Sequence, residues 1–188
     1  MSIERAVPGI DTPSRFAATC ALGAGIEAAM VWRFGWSSAL PAYLLFGAVA
    51  AVVTVTDLAA RKIPEAVVLP AYPLAATLLA VASGSAGQWW SLARGAIAMA
   101  VLGGFYLALG LGFEGQLGSG DIELGGLLGL YLGWIGWTAL AGGTLVAWLL
   151  AALAIPAHRA VTRGARTRAL PAGPFLVAGA LVVVIANR

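Results

Sequence analysis

Long apolar runs, separated by short polar or charged stretches, recur along the whole chain. After a polar stretch over 1–15 that holds Pro8, Gly9 and Pro13, apolar segments cover 16–31, 39–56, 66–82, 91–112, 122–156 and 171–186. Such runs match helices in hydrocarbon, where a crossing takes ~20 residues for ~30 Å. The run over 122–156 is too long for one crossing, so a break is expected near Trp134 to Trp137, or alternatively at Gly142-Gly143. The pattern predicts an all-α fold, a polytopic transmembrane helical bundle of about seven membrane segments. A tail over 1–15 precedes a single membrane-embedded unit over 16–188.

Local chemistry sharpens the boundaries. Trp32 and Trp36, the pair Trp89-Trp90, and Trp134 with Trp137 suit membrane interfaces, where indole rings concentrate. Ser38 is the expected cap of the second helix, with Pro41 in its first turn, where a missing N–H is tolerated. That helix is expected to end at Asp57, followed by a charged loop over 58–65 and a third segment kinked by Pro70 and Pro73. A further loop is expected over 83–90. Gly95, Ala98, Gly103 and Gly104 give the fourth helix small residues for close approach to a neighbour.

Composition turns this pattern into a class. The chain is 61% hydrophobic and 10% charged, with mean hydropathy +0.91, which is more apolar surface than a soluble domain of 188 residues can enclose. Its net charge of +3 comes from loops: Arg61, Lys62, Arg159, Arg163, Arg166 and Arg168 belong on the cytoplasmic side by the positive-inside rule. This orientation puts the N-terminus inside and the C-terminus outside the cytoplasmic (inner) membrane, with only Arg33, Arg94 and Arg188 on the far side. It accounts for the basic balance by membrane lipid, without nucleic acid. Cys20 is the only cysteine and His158 the only histidine. A disulfide is thereby excluded, a metal centre is poorly supplied with ligands, and no cofactor is expected. Cys20 is expected as a buried, inert thiol, and His158 as a solvated or headgroup-contacting residue of the basic loop.

Acidic residues are costly beside hydrocarbon and mark functional sites there. Glu27 falls in mid-helix and is expected as a protonated or hydrogen-bonded contact between helices. Asp57 ends a helix running inward, and Asp121, after Gly118-Ser119-Gly120, begins one running outward, so both belong at the same membrane face. Two aspartates sharing a site suit peptide hydrolysis: an ionised one takes a proton from water, and a protonated one hydrogen-bonds the carbonyl oxygen and later protonates the leaving amine. Like charges that close hold one proton between them. Asp121 sits beside a helix N-terminus, which favours an anion and leaves Asp57 as the expected proton holder. Gly118 and Gly120 let the backbone turn tightly and let an extended substrate approach. Glu65, Glu114 and Glu123 remain on the same side as contacts for a basic substrate or as solvated charges. Glu123, two positions past Asp121, is not expected to share its helix face.

Three stretches carry a family resemblance. Thr56-Asp57-Leu58 with Arg61-Lys62-Ile63-Pro64-Glu65, then Gly118-Ser119-Gly120-Asp121-Ile122-Glu123-Leu124, and finally Leu170-Pro171-Ala172-Gly173-Pro174-Phe175-Leu176 resemble, in order and spacing, the type IV prepilin peptidases and their shorter relatives. The resemblance implies a membrane aspartic peptidase that cleaves prepilin or pilin-like precursors at the cytoplasmic membrane face, after a glycine ending a short basic leader. Asp57 and Asp121 would be its catalytic pair, with Gly118, Gly120, Glu65 and Glu123 binding substrate or shaping the loop. Three positions depart from the family pattern: Glu65 stands for Asn or Asp, Ser119 for an aromatic, and Glu123 for Lys. Long relatives carry a cysteine-bearing cytosolic region and methylate the new N-terminus, so the short chain implies peptidase activity without methyltransferase activity. Competing readings are another G-x-G-D peptidase acting on signal peptides, a non-catalytic scaffold of a pilus or secretion assembly, and a small proton-coupled transporter. The transporter is disfavoured because neither aspartate is near the bilayer midplane.

Overall fold

A computed structural model describes residues 12–112, 118–161 and 171–187. These residues form seven helices and no strand: α1 Pro13–Phe34, α2 Leu40–Ala60, α3 Glu65–Ala86, α4 Trp89–Gly112, α5 Ser119–Ile135, α6 Trp137–Val161 and α7 Gly173–Ala186. The apolar pattern thus produces the all-α bundle it predicts. Four helices, α2, α3, α4 and the Trp137–Ala154 part of α6, are long and apolar enough to cross a membrane. Large apolar side chains such as Leu74, Val81, Val101, Leu111, Leu149 and Leu153 lie on the outer surface, where only lipid stabilises them. The chain is a multi-pass membrane protein.

Several boundaries differ from expectation. Ser38 does not cap α2; Ala39 takes the cap position without a side-chain bond. A tight turn feeds the helix instead, with the Leu40 N–H donating to the Ser37 carbonyl at 3.0 Å. α2 also runs one turn past Thr56, closing where the Arg61 N–H donates to the Asp57 carbonyl at 2.8 Å. Arg61 itself is left-handed, with φ 53°. The charged loop therefore shrinks to 61–64, and Asp57 lies inside the last turn of α2. Likewise α3 continues through Pro70 and Pro73 to Ala86, and the loop before α4 is reduced to Gly87 and Gln88. The break in the long run falls at Gly136, as the Trp134 to Trp137 alternative expected, and not at Gly142-Gly143.

Cys20 is exposed, not buried. α1 lies at the bundle's margin and packs chiefly against α2, so its other face, with Phe16, Leu22 and Val31, stays uncovered. Glu27 meets the expected neighbour: its carboxyl lies so close to Gly47 of α2 that a Cβ there would stand 2.7 Å from Oε1. Its Oε2 has no hydrogen-bond partner among the described residues. The expected tail residues 1–11, Glu114, Arg163, Arg166, Arg168, Leu170 and Arg188 lie outside the described residues, as do the side chains of His158 and Arg159.

α5 is the central post. Every residue from Leu124 to Gly133 is buried, and α3, α4, α6 and α7 all pack on it. Its closest partner is α4, and glycine makes the approach possible. A Cβ on Gly129 would lie 2.6 Å from the Ala98 carbonyl oxygen, and one on Gly95 would lie 2.9 Å from that of Leu130. In lipid, where burial of apolar area no longer drives helices together, such close backbone packing is what holds them.

The C-terminus of α5 is tied down by an arginine from α4. Arg94 donates to the carbonyl oxygens of Gly133 at 2.7 Å, Trp134 at 2.6 Å and Ile135 at 3.0 Å, satisfying groups that a helix end leaves without partners. Arg33 of α1 does the same for α7, donating to Val184 at 3.1 Å and to Asn187. Both were expected only as charges of the far face; each joins two helices. Between them Tyr43 stacks on Phe34 with ring centroids 4.0 Å apart, and its hydroxyl donates to the Tyr131 carbonyl at 3.0 Å.

Candidate active site

At the other end lie the N-termini of two short helices. α5 has 17 residues and α7 has 14, rising only ~26 Å and ~21 Å at ~1.5 Å per residue. Both begin beside a carboxylate. Asp57, 5% exposed, points from the last turn of α2 at the start of α7, and its Oδ2 accepts the Gly173 N–H at 2.9 Å. Asp121, in the first turn of α5, folds back so that its Oδ2 accepts the Gly118 N–H at 3.2 Å, while its own N–H donates to the Gly118 carbonyl at 3.1 Å.

Asp57 and Asp121 line one polar cavity of about 330 Å³. Its wall is completed by Arg61, Lys62, Ile63 and Glu65 from the α2–α3 connection and by Gly118, Ser119 and Gly120. The two loops are locked together. A Cβ on Gly120 would sit 2.6 Å from the Ile63 Cβ and 3.3 Å from its carbonyl oxygen, so glycine is required there by close approach. Across the same seam the Ser119 hydroxyl donates to Glu65 Oε1 at 3.4 Å. Asp57 and Asp121 therefore share a site because Ile63 and Gly120 leave no gap between the segments that carry them.

The remaining acids divide. Glu65 is on the cavity wall, whereas Glu123 is not. The carbonyl of Glu123 accepts the Tyr72 hydroxyl at 2.5 Å, and its Oε2 is buried with no partner among the described residues. This agrees with the helical spacing that separates it from Asp121. Asp57 too faces a helix N-terminus, that of α7, so proximity to a helix start does not by itself distinguish the two aspartates. Spacing along α2 and α5 could not reveal this, since the donor is 116 residues away in sequence. Gly173 and Ile63 entered the sequence reading only within matched stretches; the sole local sign of a special role is Gly173-Pro174 at a helix start.

The fold and the cavity define a class: a helical multi-pass membrane protein in which two buried or half-buried carboxylates open on one pocket among helix ends. The type IV leader peptidase family model matches residues 44–157, and the chain belongs to that family. The match contains both Asp57 and Asp121 and leaves α1 and α7 outside. Membership identifies a peptidase that acts on a precursor protein. No curated protein and no solved structure matches the chain.

Proposed function

We propose that this protein is an aspartic endopeptidase that removes the basic leader of prepilin or pilin-like precursors at the cytoplasmic face of the inner membrane. The observation that carries the reading is the opening of Asp57 and Asp121 on one polar cavity in a chain of the leader peptidase family.

The chemistry uses one water and one shared proton. The ionised aspartate accepts a proton from the water as its oxygen attacks the scissile carbonyl, and the protonated aspartate hydrogen-bonds the carbonyl oxygen as charge develops on it. When the tetrahedral intermediate collapses, the C–N bond breaks and the nitrogen takes a proton from the pair, leaving an acid and a free amine. The substrate's apolar stem stays among lipid and helices, and its leader reaches the cavity mouth, where Glu65 meets its basic residues and Gly118 and Gly120 leave room for an extended backbone. Glu123, turned from the cavity, shapes the start of α5 through its carbonyl bond to Tyr72. On this reading the mature product leaves with an unmethylated amino terminus, which mass spectrometry of the product checks.

Co-expression with a precursor bearing a basic leader that ends in glycine tests the proposal. Wild type converts it to a faster-migrating product, while Asp57→Asn and Asp121→Asn, present at equal levels in the membrane, leave it uncut. Unchanged cleavage in either variant overturns the assignment of that aspartate.

A further inference from the structure

α7 touches the candidate site through its first residue, Gly173. The Gly173 N–H is one of the donors that a helix start leaves without intrahelical partners, and Asp57 Oδ2 takes it at 2.9 Å in a buried setting. Pro174 follows at the second helical position, where its fixed φ suits the first turn and its lack of an N–H costs nothing. A side chain on Gly173 has no space: its Cβ would lie 2.8 Å from Oδ2 of Asp57 and 3.3 Å from its carboxyl carbon. Asp121 is held in a parallel way, its Oδ2 on the Gly118 N–H. Each carboxyl thus has one oxygen anchored to a backbone amide and keeps Oδ1 for other partners.

We propose that Gly173 is a positioning residue of the site: its N–H anchors Oδ2 of Asp57 so that Oδ1 serves the water and the substrate, and its bare Cα keeps the carboxyl in place. This rests on the peptidase reading of Asp57 and Asp121. It gives the last helix a duty in the reaction that its apolar sequence does not announce. α7 is held for this duty by α6, against which Gly179 packs so closely that a Cβ would stand 2.5 Å from the Gly143 carbonyl oxygen.

Two measurements on the full chain in detergent test it. In protein labelled with ¹⁵N-glycine, the Gly173 amide resonance should move with pH, and should lose that movement in Asp57→Asn; an amide indifferent to Asp57→Asn overturns the proposal. In kinetics on a precursor with a basic leader ending in glycine, Gly173→Ala should lower kcat about tenfold or more per folded molecule, since small misplacements of a reacting group cost that much. KM should stay within about twofold for the same reason, as substrate contacts are untouched. Arg94→Ala, which frees the end of α5 remote from the cavity by removing its bonds to the carbonyls of Gly133, Trp134 and Ile135, should lower thermal stability but keep kcat per folded molecule. Retained kcat in Gly173→Ala, or equal losses in both variants, overturns the positioning role. The resonance arm needs no activity, so a wild type that cleaves nothing would sink the peptidase reading while leaving the Gly173–Asp57 coupling to be judged by itself.

Discussion

The Gly173 N–H donates to Oδ2 of Asp57 at 2.9 Å across 116 residues of sequence, and this bond brings the start of the last helix against one of the two carboxylates. Asp57 and Asp121 consequently occupy similar surroundings, each with one oxygen on a backbone N–H at a helix start. On the proposed peptidase reading they work as a unit.

A unit predicts non-additivity. Asp57→Asn and Asp121→Asn should each reduce the cleavage rate by about 10²–10⁴-fold, the usual worth of positioned acid–base groups. The double variant should be scarcely slower than either single one. Rates measured on purified, folded protein decide this; losses that multiply would show two independent roles.

A shared proton also sets the form of the pH dependence. The proposed mechanism requires one aspartate ionised and one protonated, so the rate should fall on the acid side as the second carboxylate takes a proton and on the alkaline side as the shared proton leaves. A bell-shaped kcat/KM profile is expected. A rate that rises to a plateau with pH would mean that a single carboxylate carries the chemistry.

The seam between Ile63 and Gly120 should be intolerant of bulk. Gly120→Val places a branched side chain where even a Cβ would be 2.6 Å from Ile63, so the loops carrying the two aspartates must part. Overpacking of this kind costs about 1–3 kcal/mol, read as a lower unfolding temperature in detergent. Cleavage should fall further than stability does, and Ile63→Ala in the same chain should restore part of both by making room.

At the opposite end, Arg94→Ala removes the donors to the carbonyls of Gly133, Trp134 and Ile135. Losing charge-assisted bonds at a part-buried helix end should cost about 2 kcal/mol or more. Arg94→Lys should recover only a fraction, because an ammonium cannot reproduce the planar fork. Since Arg94 is remote from the cavity, kcat per folded molecule should change little. A large loss of kcat at full stability would contradict its structural role.

Much of this molecule is legible in the order of its residues. Runs of apolar side chains broken by tryptophan, glycine and charge mark seven helices, because hydrocarbon demands self-satisfied backbone and polar residues collect at its margins. The same pattern carries Asp57 and Asp121 to one face, since the parity of helices between them decides which end each occupies. Residue periodicity equally separates Glu123 from the cavity. Helix ends were read less well: Ser38 does not cap α2 and the loops at 58–65 and 83–90 are shorter than their polar residues suggest, because carbonyls of a preceding turn or a left-handed Arg61 can close a helix where side chains would otherwise do so.

Burial was harder to read, since it depends on which neighbours arrive. Cys20 looks like a core thiol by residue type, yet α1 ends at the margin with that face uncovered. Arg33 and Arg94 look like topogenic charges and instead fasten the C-termini of α7 and α5. By itself the sequence determined the helical class, the number of segments and the two carboxylates, all of which follow from local hydropathy and its alternation. Tertiary structure alone decided that Gly173 anchors Asp57 and that Ile63 meets Gly120, because both are contacts between segments distant in sequence, set by how closely glycine lets helices and loops approach.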